Sequence, residues 1–374
     1  MIKAWSYKDE YKELRTKILN SIDKSIKSGK IFFGNELTKF EKLFLKKNNS
    51  KYGVAVGSGT DALYISLLAL NIRSGDEVIT VSNSAIPTVS AIKSCGAKVK
   101  FVDVGEDYLI DTSKIENIIT KKTKAIIPVH LYGQACNMEK IIKISKKYNL
   151  KVIEDCAQAQ GAKFKNKFVG SFGDLGCFSF YPTKILGAYG DGGFITTSSK
   201  DLYHKINKIR FYGIENNNKK NKFNNKYYAN IHGINSRISE LQASILNLKL
   251  PKVNTWISKR RRLAKLYYKE LKKTNLKLPS ENKNCKHVFH LYVVYHPNRD
   301  LIIKNLKKNN INVNINYPYP IHKMKAYKNL YSYKANSLKY TENYSKGIFS
   351  LPLYPKLKFK DILKISKVLQ KIVK

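Results

Sequence analysis

Short apolar segments alternate with helical patterns through the middle of the chain, and this alternation constrains the fold more than any other feature. Apolar strands joined by helices are typical of a parallel sheet that is covered on both faces. The sequence therefore predicts an α/β fold with a mainly parallel central sheet flanked by helices. The predicted strands are 77–81, 99–104, 125–129 and 152–155, and the predicted helices are 87–94 and 138–148.

The chain of 374 residues is long enough for two domains. After about residue 245 the pattern changes to a long, lysine-rich helix over 253–273 and then to a shorter α/β segment. We therefore predict a large domain over 1–245 and a small C-terminal domain over 246–374. An Asn- and Lys-rich tract at 216–225 is predicted to be a long loop.

The formal net charge of +42 raises the question of nucleic-acid binding. Nucleic-acid binders concentrate basic residues in a patch or stripe and use arginine heavily. Here only eight of the 69 basic residues are arginine, and the lysines are spread over the whole length. This distribution indicates that the lysines fill solvent-facing positions, and it argues against the interpretation that the chain binds nucleic acid. A positive field would still speed the association of an anionic substrate such as a nucleotide sugar.

The sequence has no apolar run of 18 or more residues, which predicts no membrane span. Charged residues follow Met1 to Ser6 where a signal segment would be apolar, so we expect a cytoplasmic protein. The five cysteines are widely scattered, without the close spacing of a zinc or redox motif.

A lysine and an aspartate carry the strongest chemical signal. Lys184 ends the segment Ser-Phe-Tyr-Pro-Thr-Lys, and Asp155 ends the strand-like run Lys-Val-Ile-Glu-Asp. A lysine that forms a Schiff base and a carboxylate that pairs with a pyridinium nitrogen are how proteins hold pyridoxal phosphate (PLP). A lysine after Pro-Thr is also an ordinary loop residue, so the functional interpretation depends on the neighbouring motifs.

A candidate phosphate turn lies at 57–61, between a short strand and an apolar helix. Glycine allows close approach of the backbone, and free N–H groups at a helix start bind anions. The hydroxyl of Thr60 adds a further donor. The same residues are equally consistent with a capped helix in which Ser58 or Asp61 lies near the cap.

Taken in order along nearly the whole chain, these motifs resemble the DegT/DnrJ/EryC/StrS sugar aminotransferases, a family of fold-type I PLP enzymes. The chain is most similar to enzymes that act on dTDP-3-keto-6-deoxyhexoses. The matching segments are 27–29, 33–34, 40–41, 57–63 (GSGTDAL), 154–159 (EDCAQA), 179–184 (SFYPTK), 190–193 (GDGG), 233–237 (GINSR), 317–322 (YPYPIH) and 351–355 (LPLYP).

The resemblance implies a role for each matching residue. Lys184 would attach the cofactor and, once released, move a proton, and Asp155 would keep the pyridine nitrogen protonated. Gln158 would contact the ring oxygen of PLP. Asn235 would reach the cofactor of the partner subunit, which implies a homodimer with shared active sites. The implied cofactor contacts are Gly59, Thr60, Asp155, Gln158, Ser179, Lys184 and Asn235.

The implied reaction is transamination of a dTDP-linked keto-6-deoxyhexose with L-glutamate, giving an amino sugar for surface glycans such as lipopolysaccharide. His322, Tyr181 and Tyr317 are the candidate substrate residues, although His322 is equally consistent with an ordinary loop histidine. The alternatives are amination at carbon 4 of a UDP- or GDP-sugar and a non-catalytic PLP-fold binding or regulatory protein. Lys184 argues against the dehydratases of the family, in which histidine replaces the lysine.

The chain departs from the family pattern at a few positions. Gln160 and Asn316 stand where the family often has histidine, and Ile185 stands where it often has asparagine. The segment 84–86 lacks the aromatic residue that commonly stacks on the cofactor ring. None of these changes removes a residue that the chemistry requires.

Overall fold

The computed structural model describes residues 1–214, 228–328 and 337–373. Its strands are β1 (Tyr52–Val56), β2 (Glu77–Val81), β3 (Lys98–Val102), β4 (Thr123–Ile126), β5 (Lys151–Asp155), β6 (Lys163–Phe164), β7 (Lys167–Phe168), β8 (Leu175–Ser179), β9 (Gly193–Thr197), β10 (Cys285–Lys286), β11 (Tyr292–Tyr295) and β12 (Ile348–Leu351). Its α-helices are α1 (Lys8–Lys27), α2 (Asn35–Asn48), α3 (Gly59–Ala69), α4 (Ile86–Ser94), α5 (Met138–Lys147), α6 (Lys200–Ile209), α7 (Glu240–Lys249), α8 (Val253–Leu271), α9 (Arg299–Lys308), α10 (Lys339–Gly347) and α11 (Phe359–Ile372).

A seven-stranded sheet forms the centre of the protein, with the strand order β1-β9-β8-β5-β4-β2-β3. Each adjacent pair from β8 through β5, β4 and β2 to β3 is parallel. Strand β9 is antiparallel to both β1 and β8. The predicted mainly parallel sheet is therefore confirmed. The predicted strand 125–129 instead ends at Ile126, shortly before Pro128, which has no N–H to donate to a neighbouring strand.

Apolar side chains cover both faces of this sheet because successive residues of a strand point to opposite sides. Ile79 and Val152 belong to the cluster on one face, and their neighbours Val78 and Ile153 belong to the cluster on the other. All four side chains are at most 1% exposed. The double coverage explains why the strands read as continuous apolar runs in the sequence.

A separate apolar core lies in the C-terminal part of the chain. It joins α8, α9 and α11 to the antiparallel pair β11 and β12 through residues such as Tyr267, Tyr292 and Phe349. The N-terminal segment attaches here, since Ile2 N donates to Asn310 O at 2.8 Å. A domain boundary at 245/246 stays a prediction. Within the described part of the chain, no helix is long and apolar enough to cross a membrane.

Candidate active site

The predicted catalytic residues meet at one edge of the central sheet. Strands β5 and β8 run parallel and end there at Asp155 and Ser179. Strand β1 points the same way, so the helix that follows it, α3, begins at this edge with Gly59. Ligands of open α/β sheets bind beyond the carboxyl ends of the strands, and this edge is such a place.

Two hydrogen bonds hold the carboxyl group of Asp155 in place. Its Oδ1 accepts a hydrogen bond from the Ala157 amide at 3.1 Å, and its Oδ2 accepts one from Thr88 Oγ1 at 2.9 Å. The carboxyl group is buried, with 5% of the residue exposed. Burial raises the pKa of Asp155, while these two hydrogen bonds and the nearby charge of Lys184 oppose that rise. A cation placed beside this carboxyl group would stabilise its ionised form.

The neighbouring residue Glu154 anchors the end of strand β5. It is fully buried, and its two oxygens accept hydrogen bonds from the amides of Gly170, Phe172 and Gly173. A further contact joins Glu154 Oε2 to His130 Nε2 at 3.0 Å. A buried carboxylate with this many donors is satisfied, and it fixes the backbone that carries the next residue, Asp155.

Lys184 sits in a tight turn after strand β8. The Lys184 amide donates to Tyr181 O at 2.8 Å. Gln160 closes the turn, because its amide donates to Ser179 O and accepts from the Leu186 amide. This position, where the family often has histidine, therefore clamps the lysine segment. Burial lowers the pKa of Lys184 to about 8, against the opposing effect of Asp155.

The candidate phosphate turn is also a capped helix start. Ser58 is the N-cap of α3, and its side chain accepts from the Asp61 amide at 3.0 Å. The first amides of a helix have no partner within the helix and can bind an anion. A Cβ atom on Gly59 would lie 2.7 Å from Ser179 Cβ, so only glycine fits between the turn and strand β8. Ser236 braces the turn by bonding to Gly57 N and Asp61 Oδ2.

Two cavities meet at Lys184 and Tyr181, and both residues line each of them. The first, of about 230 Å³, lies over the sheet edge. The second, of about 330 Å³, extends toward the C-terminal core and includes Tyr317. The predicted residues that line the first cavity are Gly59, Thr60, Asp155, Gln158, Ser179, Tyr181 and Lys184.

Gln158 and Tyr317 form a bonded pair at the border of the cavities. Gln158 Oε1 accepts from the Tyr132 amide at 2.9 Å, which turns its Nε2 toward Tyr317 Oη, also at 2.9 Å. Burial raises the pKa of Tyr317 to about 12, so the phenol stays protonated. The Gln158 side chain therefore has a fixed orientation.

Two predicted residues lie away from these cavities. His322 is buried, and its ring contacts Ser82 Oγ at 2.7 Å and Glu342 Oε1 at 3.2 Å. It lines neither cavity. Asn235 is exposed on the surface of its own chain, next to the Ser236 that braces the phosphate turn. Its proposed role requires a second subunit.

Sequence reasoning missed Thr88, which binds Asp155. The available signal was topological, because Thr88 lies in the first turn of α4, which follows the carboxyl end of β2. Sequence reasoning also missed Trp5 and His290, which line the second cavity. They are far from Lys184 in sequence and belong to no motif that was recognised.

A half-buried lysine and a buried carboxylate, beside a helix start at the carboxyl edge of this sheet, define a fold-type I PLP-dependent aminotransferase. The residues fit PLP, since the site offers an amine, a carboxylate and an anion-binding turn around one cavity. The chain belongs to the DegT/DnrJ/EryC1/StrS aminotransferase family, whose profile matches residues 12–370. It is accordingly a sugar aminotransferase that uses PLP, as the sequence predicted.

Known proteins similar to the chain include enzymes of two nucleotide types. A dTDP-3-amino-3,4,6-trideoxy-alpha-D-glucose transaminase from Micromonospora megalomicea is 41% identical over 95% of this chain and 94% of its own. A UDP-N-acetyl-3-dehydro-alpha-D-glucosamine 3-aminotransferase from Acidithiobacillus ferrooxidans is 37% identical over 96% and 94%. The crystal structure of S. venezuelae DesV with a ketimine intermediate matches with a TM-score of 0.93 and 32% identity, covering 98% of this chain and 97% of DesV.

Proposed function

We propose that the enzyme transfers the amino group of L-glutamate to carbon 3 of a dTDP-linked 3-keto-6-deoxyhexose. The observation that carries this proposal is the position of Lys184 at the junction of two cavities, one suited to the cofactor and one open to a substrate. The similarity to a dTDP-sugar transaminase at 41% identity supports the choice of nucleotide.

When bound, PLP would supply an electron sink and a carrier for the amino group, as a ping-pong cycle requires. Lys184 attaches the cofactor and afterwards, as a free amine, moves the proton at the amine-bearing carbon. Its lowered pKa of about 8 suits this task, since the neutral amine is then accessible near physiological pH. Asp155 would supply the negative charge that keeps the pyridine nitrogen of the cofactor protonated.

The remaining first-cavity residues hold the cofactor in place. The Gly59 and Thr60 amides at the start of α3, together with the Ser179 hydroxyl, bind the phosphate. Gln158, whose orientation is fixed by Tyr132 and Tyr317, contacts the ring oxygen. We also expect cationic side chains at the mouth of the site, from lysines of the tract 216–226, to pair with the diphosphate of the substrate, and this tract lies outside the described residues.

We further propose a homodimer in which Asn235 completes the site of the partner. Its position supports this role, because Asn235 faces outward next to a residue that braces the phosphate turn. Mixing Lys184→Ala subunits with Asn235→Ala subunits tests the idea. If Asn235 acts in trans, a mixed dimer has one site with both lesions and one intact site.

Activity after subunit exchange is therefore expected to exceed that of either variant alone. At complete exchange about half of the dimers are mixed, so about a quarter of all sites become intact by simple combinatorics. Mixing Lys184→Ala with Asp155→Asn is the matched control, since both lesions act in cis within this proposal. A gain in the control pair, or no gain in the Asn235 pair, would contradict shared sites.

The substrate assignment is tested by offering the purified enzyme L-glutamate with the 3-keto or the 4-keto 6-deoxyhexose, each linked to dTDP, UDP or GDP. We expect amine product from the dTDP-linked 3-keto compound, identified by mass and by the position of the new amine. Lys184→Ala protein is the blank. Product from the 4-keto compounds alone would favour the carbon 4 alternative, and product from none would reject a nucleotide-sugar substrate.

A further inference from the structure

Lys249, on helix α7, is a buried lysine that the mechanism above does not use. The residue is 2% exposed, although a lysine is almost never buried unless its charge is paired. Its Nζ lies 2.7 Å from Glu10 Oε1 and donates to Gly187 O at 2.7 Å. The same Nζ lies 3.8 Å from the centre of the Tyr189 ring. Two of these three partners, Gly187 and Tyr189, follow Lys184 closely in the chain.

Gly187 closes the lysine turn, residues 181–187, which follows strand β8. A Cβ atom on Gly187 would lie 2.4 Å from Pro182 O, so the two ends of the turn touch through their backbones. Lys184 stands between these two contacting residues. A displacement of Gly187 would therefore move the backbone that carries Lys184.

The residues after the lysine turn are bound to strand β8 and to helix α7. The Ala188 amide donates to Phe180 O at 2.7 Å. The Tyr189 amide donates to Gln242 Oε1 at 2.9 Å, and Gln242 Nε2 donates back to Tyr189 O at 3.3 Å. Gln242 and Lys249 are about two helical turns apart, so both side chains lie on one face of α7. One helix face thus holds the lysine turn and the residues that follow it.

Glu10, on helix α1, supplies the counter-charge of Lys249. Its side chain is 21% exposed, so the carboxylate keeps part of its hydration while the ammonium group has lost almost all of its own. The Tyr189 hydroxyl donates to the same Oε1 at 3.4 Å. Burial lowers the pKa of Lys249, and Glu10 opposes this fall. The ion pair therefore favours the charged ammonium group, which is a stronger donor to Gly187 O than a neutral amine would be.

We propose that Lys249 is a positioning residue for the reaction. Its ammonium group, paired with Glu10, holds Gly187 O and so fixes the lysine turn in the position from which Lys184 acts. This inference rests on the proposed function of Lys184. It gives helix α1 a part in the reaction, although Glu10 and Lys249 line neither cavity. A misplacement of about 1 Å at a reacting group can lower a rate by about 100-fold, so fixing this turn matters for turnover.

Lys249→Met tests the proposal, because methionine keeps an apolar side chain and removes the ammonium group. In the full-length protein freed of cofactor, we expect added PLP to become attached to Lys184 about tenfold more slowly. Attachment is measured as the cofactor retained through denaturation after borohydride treatment. The maximal rate of the half-reaction with L-glutamate is also expected to fall about tenfold, while the apparent affinity for L-glutamate changes less than about twofold.

Lys252→Met is the matched control. Lys252 also forms an ion pair with helix α1, with Nζ 2.7 Å from Glu13 Oε1, and both side chains are partly exposed. Neither residue makes a hydrogen bond to the lysine turn within the described part of the chain. Attachment and the glutamate half-reaction in this variant are expected to stay within about twofold of the wild type.

A second variant separates positioning from stability. Lys249→Met leaves Glu10 without its partner, which destabilises the fold for a purely structural reason. The double variant Glu10→Gln/Lys249→Met removes both charges. We expect it to regain much of the lost thermal stability while attachment and the half-reaction stay slow, because Gly187 O still lacks its ammonium donor.

The outcomes divide as follows. Recovery of both rates together with stability in the double variant, or wild-type rates in Lys249→Met, would overturn the positioning role. If Lys249→Met does not fold, the rates of the double variant decide in the same way. Failure of the wild-type protein to attach PLP covalently would instead reject the proposed function of Lys184, so the two proposals fail separately.

Discussion

In Lys184→Ala, turnover is expected to fall by at least about 10⁴-fold, because the variant loses both the covalent attachment of the cofactor and the amine that moves the proton. The residue borders both cavities, so no other described amine shares its place. The measurement is transaminase activity together with visible absorbance after borohydride treatment. The wild type should retain the reduced cofactor through denaturation, and the variant should release it.

Lys200→Ala is the matched control for this experiment. Lys200 is exposed at the start of α6, and its loss should leave both activity and cofactor retention unchanged. Comparable thermal unfolding of the two variants would show that Lys184→Ala is folded. Transaminase activity in Lys184→Ala above a trace would contradict the assignment of Lys184 as the residue that attaches the cofactor and moves the proton.

In Asp155→Asn, the barrier to turnover is expected to rise by about 3 kcal/mol or more, a rate loss of at least about 100-fold. The amide keeps the shape of the carboxyl group and removes its charge. The Ala157 amide can still donate to the remaining oxygen, and Thr88 Oγ1 can accept from the new NH₂ group, so the local structure should persist. The cofactor should remain attached through Lys184. Retained cofactor would show that the lower turnover comes from slower chemistry and not from loss of the cofactor.

Asp174→Asn provides the comparison. Asp174 lies just before β8, at the opposite end of the sheet from the site, where its Oδ2 accepts from the Val152 amide at 2.8 Å. That substitution is expected to alter stability modestly and turnover hardly at all. Near-normal turnover in Asp155→Asn would remove this carboxylate from the mechanism.

The sequence was sufficient to predict the parts of the site that local patterns encode. Asp155 ends strand β5, which lies in a sheet that is covered on both faces. A strand of this kind appears in the sequence as a continuous apolar run. Gly59 was recognisable because it lies in a glycine-containing turn between a short strand and an apolar helix. Lys184 was recognisable from its segment, and the family, fold, enzyme class and cofactor that it implied were all confirmed.

Contacts between segments distant in sequence were not predictable in the same way. His322 belongs to a motif, and only its packing against Ser82 and Glu342 shows that it lines neither cavity. Gln160 departs from the family pattern, yet its amide still closes the turn that carries Lys184.

The sequence by itself determined the order of strands and helices, the carboxyl edge where the candidate site lies, and the lysine and aspartate that we propose act there. These are properties of periodicity and of short motifs, which local residues specify. The tertiary structure alone decided that Trp5 and His290 share a cavity with Lys184 and that Thr88 donates to Asp155. The physical reason is that such contacts arise when packing brings together residues far apart in sequence, and no local pattern records which of them will meet.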